Sequence, residues 1–457
     1  MTVFERTLAL PVSCDTAFAW HARVGAFPRL TPPWQDTRVT SQTFADGADT
    51  LLMDGGVATL SIPVGPVRVS WKARHSGYEP GRQFIDTMEN GPFTRWVHTH
   101  RFEPAPGGCT LIDHIDYDLG ALGLVASGKM ATDLDRLFRF RHSRTAADLA
   151  AHALHPGGGT IAITGATGLL GTALGAFLTT GGHAVRRFGR KGREGDIRWD
   201  PASGSIETEK LRDVDTVVHL AGASIAERWT DAHKVEVMES RRLGTRLVAR
   251  ALAELKRSGG GGPRTLICAS AVGIYGNRED EELTEESAAG SGFAADVCKA
   301  WEASTAEAED AGIRVVHLRL GVVLSARGGA LAQMLPPFRA GLGGPVGSGR
   351  QWLPWVADDD VLDAIALAMD DDRLRGPINV VSPGITRQRD FADALGGALG
   401  RPAFITAPAF GIRALFGEMG QELLLGGQHV LAHRLQAGGF RWRRPGLKEA
   451  LAWEIGE

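Results

Sequence analysis

The sequence predicts an α/β protein in which a doubly wound parallel sheet is preceded by an α+β domain and followed by a small helical tail. Three patterns carry this prediction. From residue 160 onward, short β-branched runs alternate with helical patterns, which is typical of parallel strands joined by crossover helices. Before residue 155, strand patterns lead into one long Ala-rich helical pattern. After about residue 404 the alternation gives way to short helices.

Length and composition limit the classes of protein that this chain can belong to. At 457 residues it exceeds what one hydrophobic core usually holds, and its 43% hydrophobic content is that of an ordinary soluble protein. The net charge of −3 provides no basic surface for nucleic acid or anionic membrane. No apolar run approaches the roughly 18 residues of a membrane span, and no signal-peptide pattern is present. We therefore expect a cytoplasmic protein without a nucleic-acid partner or a membrane span.

Glycine and cysteine add two further expectations. The four cysteines, Cys14, Cys109, Cys268 and Cys298, form no Cys-x-x-Cys pair, so neither a disulfide framework nor a zinc knuckle is indicated. Proline followed by three glycines at 156–159 is typical of a flexible joint between domains. We place a first domain at residues 1–155, a second at 160–403 and the helical tail at 404–457.

The first domain is predicted to be a curved antiparallel sheet closed by a long helix. Apolar and polar residues alternate at 57–62, 67–71 and 111–117, and a helix is predicted from about 129 to 154. Such a sheet would enclose a cavity. His98 and His100 share a strand face, and His114 can lie on a neighbouring strand. Because no carboxylate or cysteine completes a ligand set in the sequence, we predict no metal site.

The second domain begins with a strand that leads into a glycine-rich turn and a helix. In Gly-x-x-Gly-x-x-Gly, the glycines allow a tight turn, close approach to a pyrophosphate and helix-on-sheet packing, and the helix N-terminus faces the phosphates. This pattern predicts a Rossmann-type NAD(P) site. Further strands are predicted at 183–188, 214–220, 265–269 and 313–319. The residues of the turn predicted to bind the cofactor are Gly165, Ala166, Thr167, Gly168, Leu169, Leu170 and Gly171.

The segment after the second strand refines the cofactor prediction. Gly189 and Arg190 follow the second strand, 19 residues after the turn, where an NAD site would carry Asp or Glu. The guanidinium of Arg190, flanked by Lys191 and Arg193, can bind a 2′-phosphate bidentately and indicates NADP; a solvated basic loop is the alternative.

The strand at 217–220 is followed by small residues, including Gly222, which let the adenosine lie close to the backbone. His219 at its end is a candidate acid or base. A histidine in this position more often bonds to the backbone or to the cofactor.

Taken together, these segments resemble the extended short-chain dehydrogenase/reductase superfamily. More narrowly, residues 160–457 resemble its atypical nucleoside-diphosphate-sugar epimerase-like family, including the C-terminal helical tail. The matching segments include Trp199-Asp200-Pro201, Leu220-Ala221-Gly222-Ala223, Ser240-Arg241, Ala269-Ser270-Ala271-Val272-Gly273-Ile274-Tyr275-Gly276, Trp301-Glu302 and Arg319-Leu320-Gly321. The resemblance implies NADP binding by the glycine turn and by Gly189, Arg190, Leu220, Ala221, Glu236, Arg241 and Val323.

Residues 1–155 resemble the helix-grip fold of polyketide-cyclase/START-like (SRPBCC) proteins, in the variant fused ahead of an epimerase-like domain. The segments that carry this resemblance are 18–21, 29–34 and 91–100. The resemblance implies a cavity for an apolar ligand.

The catalytic pair of the superfamily, Tyr-x-x-x-Lys, is absent from this chain. Tyrosine occurs only three times, and none has a lysine four residues later. Ala294 takes the tyrosine place and Cys298 the lysine place. The remaining candidates are Ser270, which would polarise a substrate carbonyl, and Tyr275, which would act as an acid or be structural. Cys298 as a nucleophile is a weaker alternative.

Two functions are compatible with this sequence. One is an NADP-binding oxidoreductase or epimerase-like enzyme that acts on an unknown small molecule and carries an apolar-ligand module. The other is a non-catalytic NADP-binding sensor or an assembly factor related to cell division. The intact glycine turn fits both, and the missing pair favours the second.

Overall fold

The computed structural model describes residues 2–48, 50–64, 67–120, 123–191, 195–259 and 261–457, without the side chains of 64 and 123–127. The chain divides into two compact units. The first runs to Gly157 and also takes in Ala176–His183 and Gly456. The second comprises Gly158–Gly175, Ala184–Ile455 and Glu457, so the helical tail forms one unit with the parallel sheet.

The first unit is built on a seven-stranded antiparallel sheet with the strand order β1-β7-β6-β5-β4-β3-β2. Its strands are β1 (Thr2–Leu10), β2 (Arg38–Thr43), β3 (Val57–Val64), β4 (Val67–Glu79), β5 (Gln83–Asn90), β6 (Arg95–Ala105) and β7 (Gly108–Asp118). Its helices are α1 (Cys14–Ala22), α2 (Ala26–Leu30) and α3 (Gly123–Leu154). The three predicted strands and the long predicted helix are confirmed.

Aromatic side chains fill the interior of the first unit. Phe18 on α1 packs against Phe84 and Phe102 from the sheet, with ring centroids 6.0 and 5.3 Å apart. Trp20 on the same helix is fully buried. Cys14 and Cys109, 95 residues apart in the sequence, lie with their sulfur atoms 2.8 Å apart, because α1 begins beside the start of β7. The sequence spacing of these two cysteines does not reveal this proximity.

The second unit is built on an eight-stranded sheet with the order β11-β10-β9-β8-β12-β13-β15-β19. Its pairings are parallel except between β10 and β11. The strands are β8 (Thr160–Thr164), β9 (Ala184–Gly189), β10 (Ile197–Asp200), β11 (Ser205–Ile206), β12 (Thr216–His219), β13 (Thr265–Ala271), β15 (Arg314–Leu320) and β19 (Gly376–Val380). Strand order reverses between β8 and β12, which is where doubly wound sheets bind their ligands.

Helices cover this sheet, and shorter strands complete the unit. The helices are α4 (Leu169–Gly181, of which the residues up to Gly175 belong to this unit), α5 (Asp231–Arg257), α6 (Phe293–Ala303), α7 (Ala306–Asp310), α8 (Gly329–Arg339), α9 (Asp358–Asp370), α10 (Gln388–Ala398), α11 (Ala409–Met419), α12 (His433–Ala437) and α13 (Leu447–Ile455). The short strands are β14 (Glu282–Leu283), β16 (Val322–Leu324), β17 (Trp352–Leu353), β18 (Trp355–Ala357), β20 (Thr386–Arg387) and β21 (His429–Val430).

The tail has the short helices that were predicted and one element that was not. Strand β21 pairs in parallel with β14, so the tail also contributes to a small sheet. Arg443 of the tail is paired with Asp363 of α9, with Nη2 2.6 Å from Oδ1. Across the described part of the chain, no helix has both the length and the apolarity to cross a membrane.

Candidate functional site

The glycine turn brings the ends of β8 and β12 into contact. Gly165 has a φ of +65°, and a Cβ there would lie 3.0 Å from the backbone nitrogen of Ala221 and from the carbonyl of Leu220. A Cβ on Gly171 would lie 2.2 Å from the carbonyl oxygen of Gly165. Both positions therefore exclude larger residues. The start of α4 stays against the turn, as a pyrophosphate cradle requires.

A buried hydrogen-bond network fixes the loop after β12. Thr164 Oγ1 accepts from the backbone N–H groups of Leu220 and Ala221, at 3.0 and 3.2 Å. It also lies 2.8 Å from His219 Nδ1, while His219 Nε2 lies 3.0 Å from Thr245 Oγ1. Burial lowers the pKa of His219 to about 4, so the ring is neutral and both nitrogens are engaged within the protein. These contacts support the positioning role of His219 over the acid–base role.

Arg241 supports the same loop from within the protein. Its guanidinium is buried, donates to the carbonyl oxygens of Ala223 and Val237 at 3.0 and 3.1 Å, and lies over the Trp301 ring. Burial lowers its pKa. A Cβ on Gly222 would be 3.1 Å from the Arg241 Cζ atom, so this position is also crowded.

The other cofactor residues implied by the family resemblance lie in different surroundings. The Glu236 side chain on α5 is 67% exposed, with a carboxylate oxygen 3.5 Å from His233 Nδ1. Val323 lies on β16, paired with Val356 of β18. Contact of either residue with a cofactor stays a prediction.

An exposed cation, Arg190, directly follows β9. Arg186 and Arg187 precede it on the strand and form ion pairs with Asp213 and Asp196. Arg190 is exposed and makes no ion pair with any described residue. Gly189 lies close to Asp196, because a Cβ there would be 2.6 Å from its Oδ2 atom. Arg193 lies outside the described residues.

Ser270 belongs to a buried polar chain that we call the Ser–Glu–Arg network: Ser270, Glu302, Arg319, Tyr275 and Asn379. Ser270 Oγ donates to Glu302 Oε1 at 2.7 Å. Arg319 donates to both oxygens of Glu302 at 2.9 Å and, through Nη1, to the Tyr275 hydroxyl at 2.9 Å. The Tyr275 hydroxyl donates to Asn379 Oδ1 at 2.7 Å. Burial alone would raise the pKa of Glu302, but Arg319 outweighs it and lowers the value, so the carboxylate is ionised.

The two positions of the missing catalytic pair hold inert groups. Ala294 and Cys298 are both buried on α6, and burial raises the pKa of the Cys298 thiol to about 11. Its thiolate is therefore scarce at neutral pH. Tyr275 is fully buried, burial raises its pKa, and its hydroxyl is held between Arg319 and Asn379. Proton donation to a substrate would break the bond to Asn379.

Sequence reasoning did not assign a role to Glu302 or Arg319. Both occur in segments that carry the family resemblance, which was the available signal. Their pairing joins α6 to β15 across 17 residues and depends on how the helix packs on the sheet. Periodicity alone does not specify that contact.

In the first unit, His98 and His100 share a face of β6 and both are buried. His114, however, pairs with Glu5 and lies on the more exposed side of β7. The carboxylates missing from the sequence prediction come from neighbouring strands: Asp86 is the cross-strand partner of His98, and Asp113 that of His100. Carboxylates therefore do lie beside these histidines, contrary to the prediction from the sequence, because strand register supplies them.

Models of three protein families match this chain. The NAD dependent epimerase/dehydratase family matches residues 161–381, and a domain of unknown function, DUF1731, matches 407–454. The family described as polyketide cyclase / dehydrase and lipid transport matches residues 10–139.

Among curated proteins, an epimerase family protein of Mycobacterium bovis is 40% identical over 296 residues, covering 64% of this chain and 96% of that protein. Human epimerase family protein SDR39U1 is 36% identical over 295 residues, and the match covers 64% of this chain and 98% of the human protein.

Among solved structures, the nucleoside-diphosphate sugar epimerase of Corynebacterium glutamicum has a TM-score of 0.79 and 33% identity, covering 100% of this chain and 90% of that one. Human SDR39U1 isoform 2, crystallised with NADPH, has a TM-score of 0.59 and 35% identity, covering 65% of this chain and 99% of that one.

A sheet that reverses its strand order beside a glycine turn, with a helix beginning directly after it, defines the second unit as a Rossmann-type dinucleotide-binding fold. The family matches agree with that class. The chain belongs to the epimerase family that includes SDR39U1, with a DUF1731 tail and an N-terminal polyketide cyclase/dehydrase domain.

Proposed function

We propose that the second unit binds NADP(H) at the glycine turn and is an oxidoreductase or epimerase-like enzyme. The observation that carries the proposal is the close packing of the glycine turn, where side chains at Gly165 and Gly171 would clash with the backbone of the turn and of the loop after β12. Arg190, which is exposed and makes no ion pair among the described residues, is suited to the 2′-phosphate, where a guanidinium binds bidentately. The NADPH in the crystals of human SDR39U1 supports the choice of cofactor.

The Ser–Glu–Arg network determines how this chain would handle a substrate oxygen. Bound NADP supplies hydride exchange with a carbon that carries a hydroxyl or a carbonyl. Because the Ser270 proton is donated to Glu302, the serine oxygen is free to accept a hydrogen bond from a substrate hydroxyl. As Ser270 takes up the substrate proton, its own proton passes to Glu302. Polarising a carbonyl, the role predicted for Ser270, requires the hydroxyl to turn away from Glu302.

The experiment is a screen of NADP⁺ reduction with alcohols and NADPH oxidation with carbonyl compounds, using the full chain. Ser270→Ala should lose turnover by about 10²-fold or more while retaining cofactor affinity, as expected for a lost proton-transfer group. Cys298→Ala removes a neighbouring thiol that contacts Ser270, and it should retain turnover because that thiol is protonated. Loss of turnover in Cys298→Ala alone would contradict the assignment.

A second candidate function rests on the missing catalytic pair. With Ala294 and Cys298 in the tyrosine and lysine places, the unit would bind NADP without chemistry, as a redox sensor or an assembly factor related to cell division. This function predicts cofactor binding, no turnover across the screen, and no effect of Ser270→Ala.

The first unit is proposed to bind an apolar ligand, supported by its match to a family described in terms of lipid transport. Native mass spectrometry of freshly purified protein tests this proposal and shows retained NADP in the same spectrum. An adduct of lipid-like mass is the expected result. A cytoplasmic location stays a prediction.

A further inference from the structure

Six ionisable side chains in the first unit converge at one buried place, which we call the His–Asp cluster: His75, Asp86, His98, His100, Asp113 and His142. They come from β4, β5, β6, β7 and α3. All are buried except Asp86, whose side chain is 25% exposed and gives the cluster contact with solvent.

Asp113 is the carboxylate around which the histidines are arranged. Its Oδ1 atom accepts from His98 Nε2 at 3.0 Å, and its Oδ2 atom accepts from His142 Nε2 at 2.7 Å. His100 Nδ1 lies 2.7 Å from Oδ1. A carboxylate bonded to one imidazole nitrogen fixes the ring and makes its other nitrogen a stronger ligand, as is usual behind metal-binding histidines.

Around Asp86 the polar groups are close together but poorly aligned. Both nitrogens of His75 and the Oδ1 atom of Asp86 are buried and lack an aligned hydrogen bond among the described residues. They are nevertheless close: His75 Nδ1 is 2.5 Å from Asp86 Oδ1, and His100 Nε2 is 3.4 Å from Oδ2. His75 Nε2 has no partner among the described residues, and buried polar groups are rarely left unpaired.

The spacing of the ligand atoms fits a single ion. One nitrogen each of His98 and His100 and one oxygen of Asp86 all lie within 4.8 Å of one another. Two imidazoles and one carboxylate form a donor set for Zn²⁺, Fe²⁺, Co²⁺ or Mn²⁺ that leaves coordination positions open.

Charge also favours a cation. Two carboxylates share this interior, and both lie against His100, Asp113 on its Nδ1 side and Asp86 on its Nε2 side. A divalent cation would offset their negative charge. Arg141 is also near, but it donates to the carbonyl of Leu30, lies over the Phe138 ring and makes no ion pair with either carboxylate.

We propose that the His–Asp cluster binds one divalent transition-metal ion, with Asp86, His98 and His100 as ligands and Asp113 orienting the two histidines. Open coordination positions would let the ion contact a small oxygen-bearing ligand in the first unit. The proposal does not depend on the NADP site.

The test uses the full, tag-free chain, stripped with a chelator and titrated with Co²⁺ or Zn²⁺. We expect about one equivalent retained through gel filtration, measured by elemental analysis, and d–d absorption from bound Co²⁺. Asp86→Asn and His98→Gln should each weaken uptake by about tenfold or more. His114→Gln, on the more exposed side of β7, is the matched control and should bind like the unmodified chain.

X-ray absorption of the unmodified metal complex tests the ligands without relying on variant folding. Imidazole and oxygen scattering is the expected result, whereas sulfur scattering would place the ion at Cys14 and Cys109 and overturn the proposal. Failure of the unmodified chain to retain either metal would also overturn it. So would equal loss of uptake in His114→Gln and in the ligand variants.

Discussion

At the scale of single residues, Arg190 is the side chain predicted to select the cofactor, and Ser270 is the side chain proposed to accept the substrate proton. Arg190, directly after β9, makes no ion pair with a described residue, whereas Arg186 and Arg187 on the strand are paired. Ser270 is bonded to an ionised glutamate. The first arrangement concerns binding and the second concerns chemistry, so separate variants can test them.

Arg190→Ala should reduce NADPH affinity by about tenfold or more and leave NADH affinity unchanged, because a charge-assisted bond to the 2′-phosphate is lost. Isothermal titration calorimetry with both cofactors measures the change. Arg186→Ala, which removes a paired arginine from the same strand, is the control. An unchanged preference in Arg190→Ala would remove this residue from the cofactor site.

Tyr275→Phe separates a structural tyrosine from a catalytic one. The variant leaves Arg319 Nη1 and Asn379 Oδ1 without their buried partner, so we expect a loss of about 1–3 kcal/mol in the free energy of unfolding. Urea denaturation measures this loss. At low urea concentrations, where the variant is folded, it should still turn over substrate. If stability is kept and turnover is lost, Tyr275 is the acid after all.

The glycine turn could be predicted from the sequence, whereas the contacts of the buried polar networks could not. The glycine turn and Arg190 were predicted because their spacing along the chain is itself the signal. The His–Asp cluster depends on which residues face each other across β4 to β7, and Asp113 meets His142 across 29 residues. Register and helix packing set those contacts, so the sequence showed two histidines on a face but not their carboxylates.

At the scale of elements, β-branched runs identified the central strands β8, β9, β12, β13 and β15. Strands β10 and β19 were missed, as was the two-residue strand β11. The first spans only Ile197–Asp200, and the second begins with Gly376 and Pro377, residues that usually mark a turn. Both lie toward the edges of the sheet, where fewer buried residues are needed.

The close packing at the start of α4 can be tested with one substitution. Gly171→Ala should abolish NADPH binding, because its Cβ would lie 2.2 Å from the carbonyl oxygen of Gly165 and separate the helix from the turn. Gly175→Ala, one turn later, places a Cβ 4.0 Å from Val185 Cγ1 and is the matched control. We expect it to bind normally and to gain about 0.5–1 kcal/mol in stability. Fluorescence titration and thermal unfolding test both variants, and normal binding by Gly171→Ala would contradict the cradle.

At the scale of the whole molecule, the chain is two compact units, and the tail is part of the second. Arg443 connects the tail to α9 through a bidentate pair with Asp363 and a backbone N–H bond from Arg443 to Asp360. Both side chains of the pair are buried. This contact holds the tail against α9, a helix of the unit that contains the parallel sheet.

Arg443→Ala should lower the stability of the second unit by about 3–5 kcal/mol, because the Asp363 carboxylate is left buried without its partner. Arg441→Ala, at an exposed neighbouring position, is the control and should change stability by less than about 0.5 kcal/mol. Calorimetric unfolding measures both variants. Equal, small effects would show that the tail contributes little to this unit.

Binding of NADP(H) by the second unit is the central claim, and its most direct test is calorimetric titration of the full chain with NADPH and, separately, NADH. The cradle and Arg190 predict NADPH binding at one site, tighter than NADH by about tenfold or more. Equal affinities, tighter NADH binding or no binding of NADPH would contradict the claim.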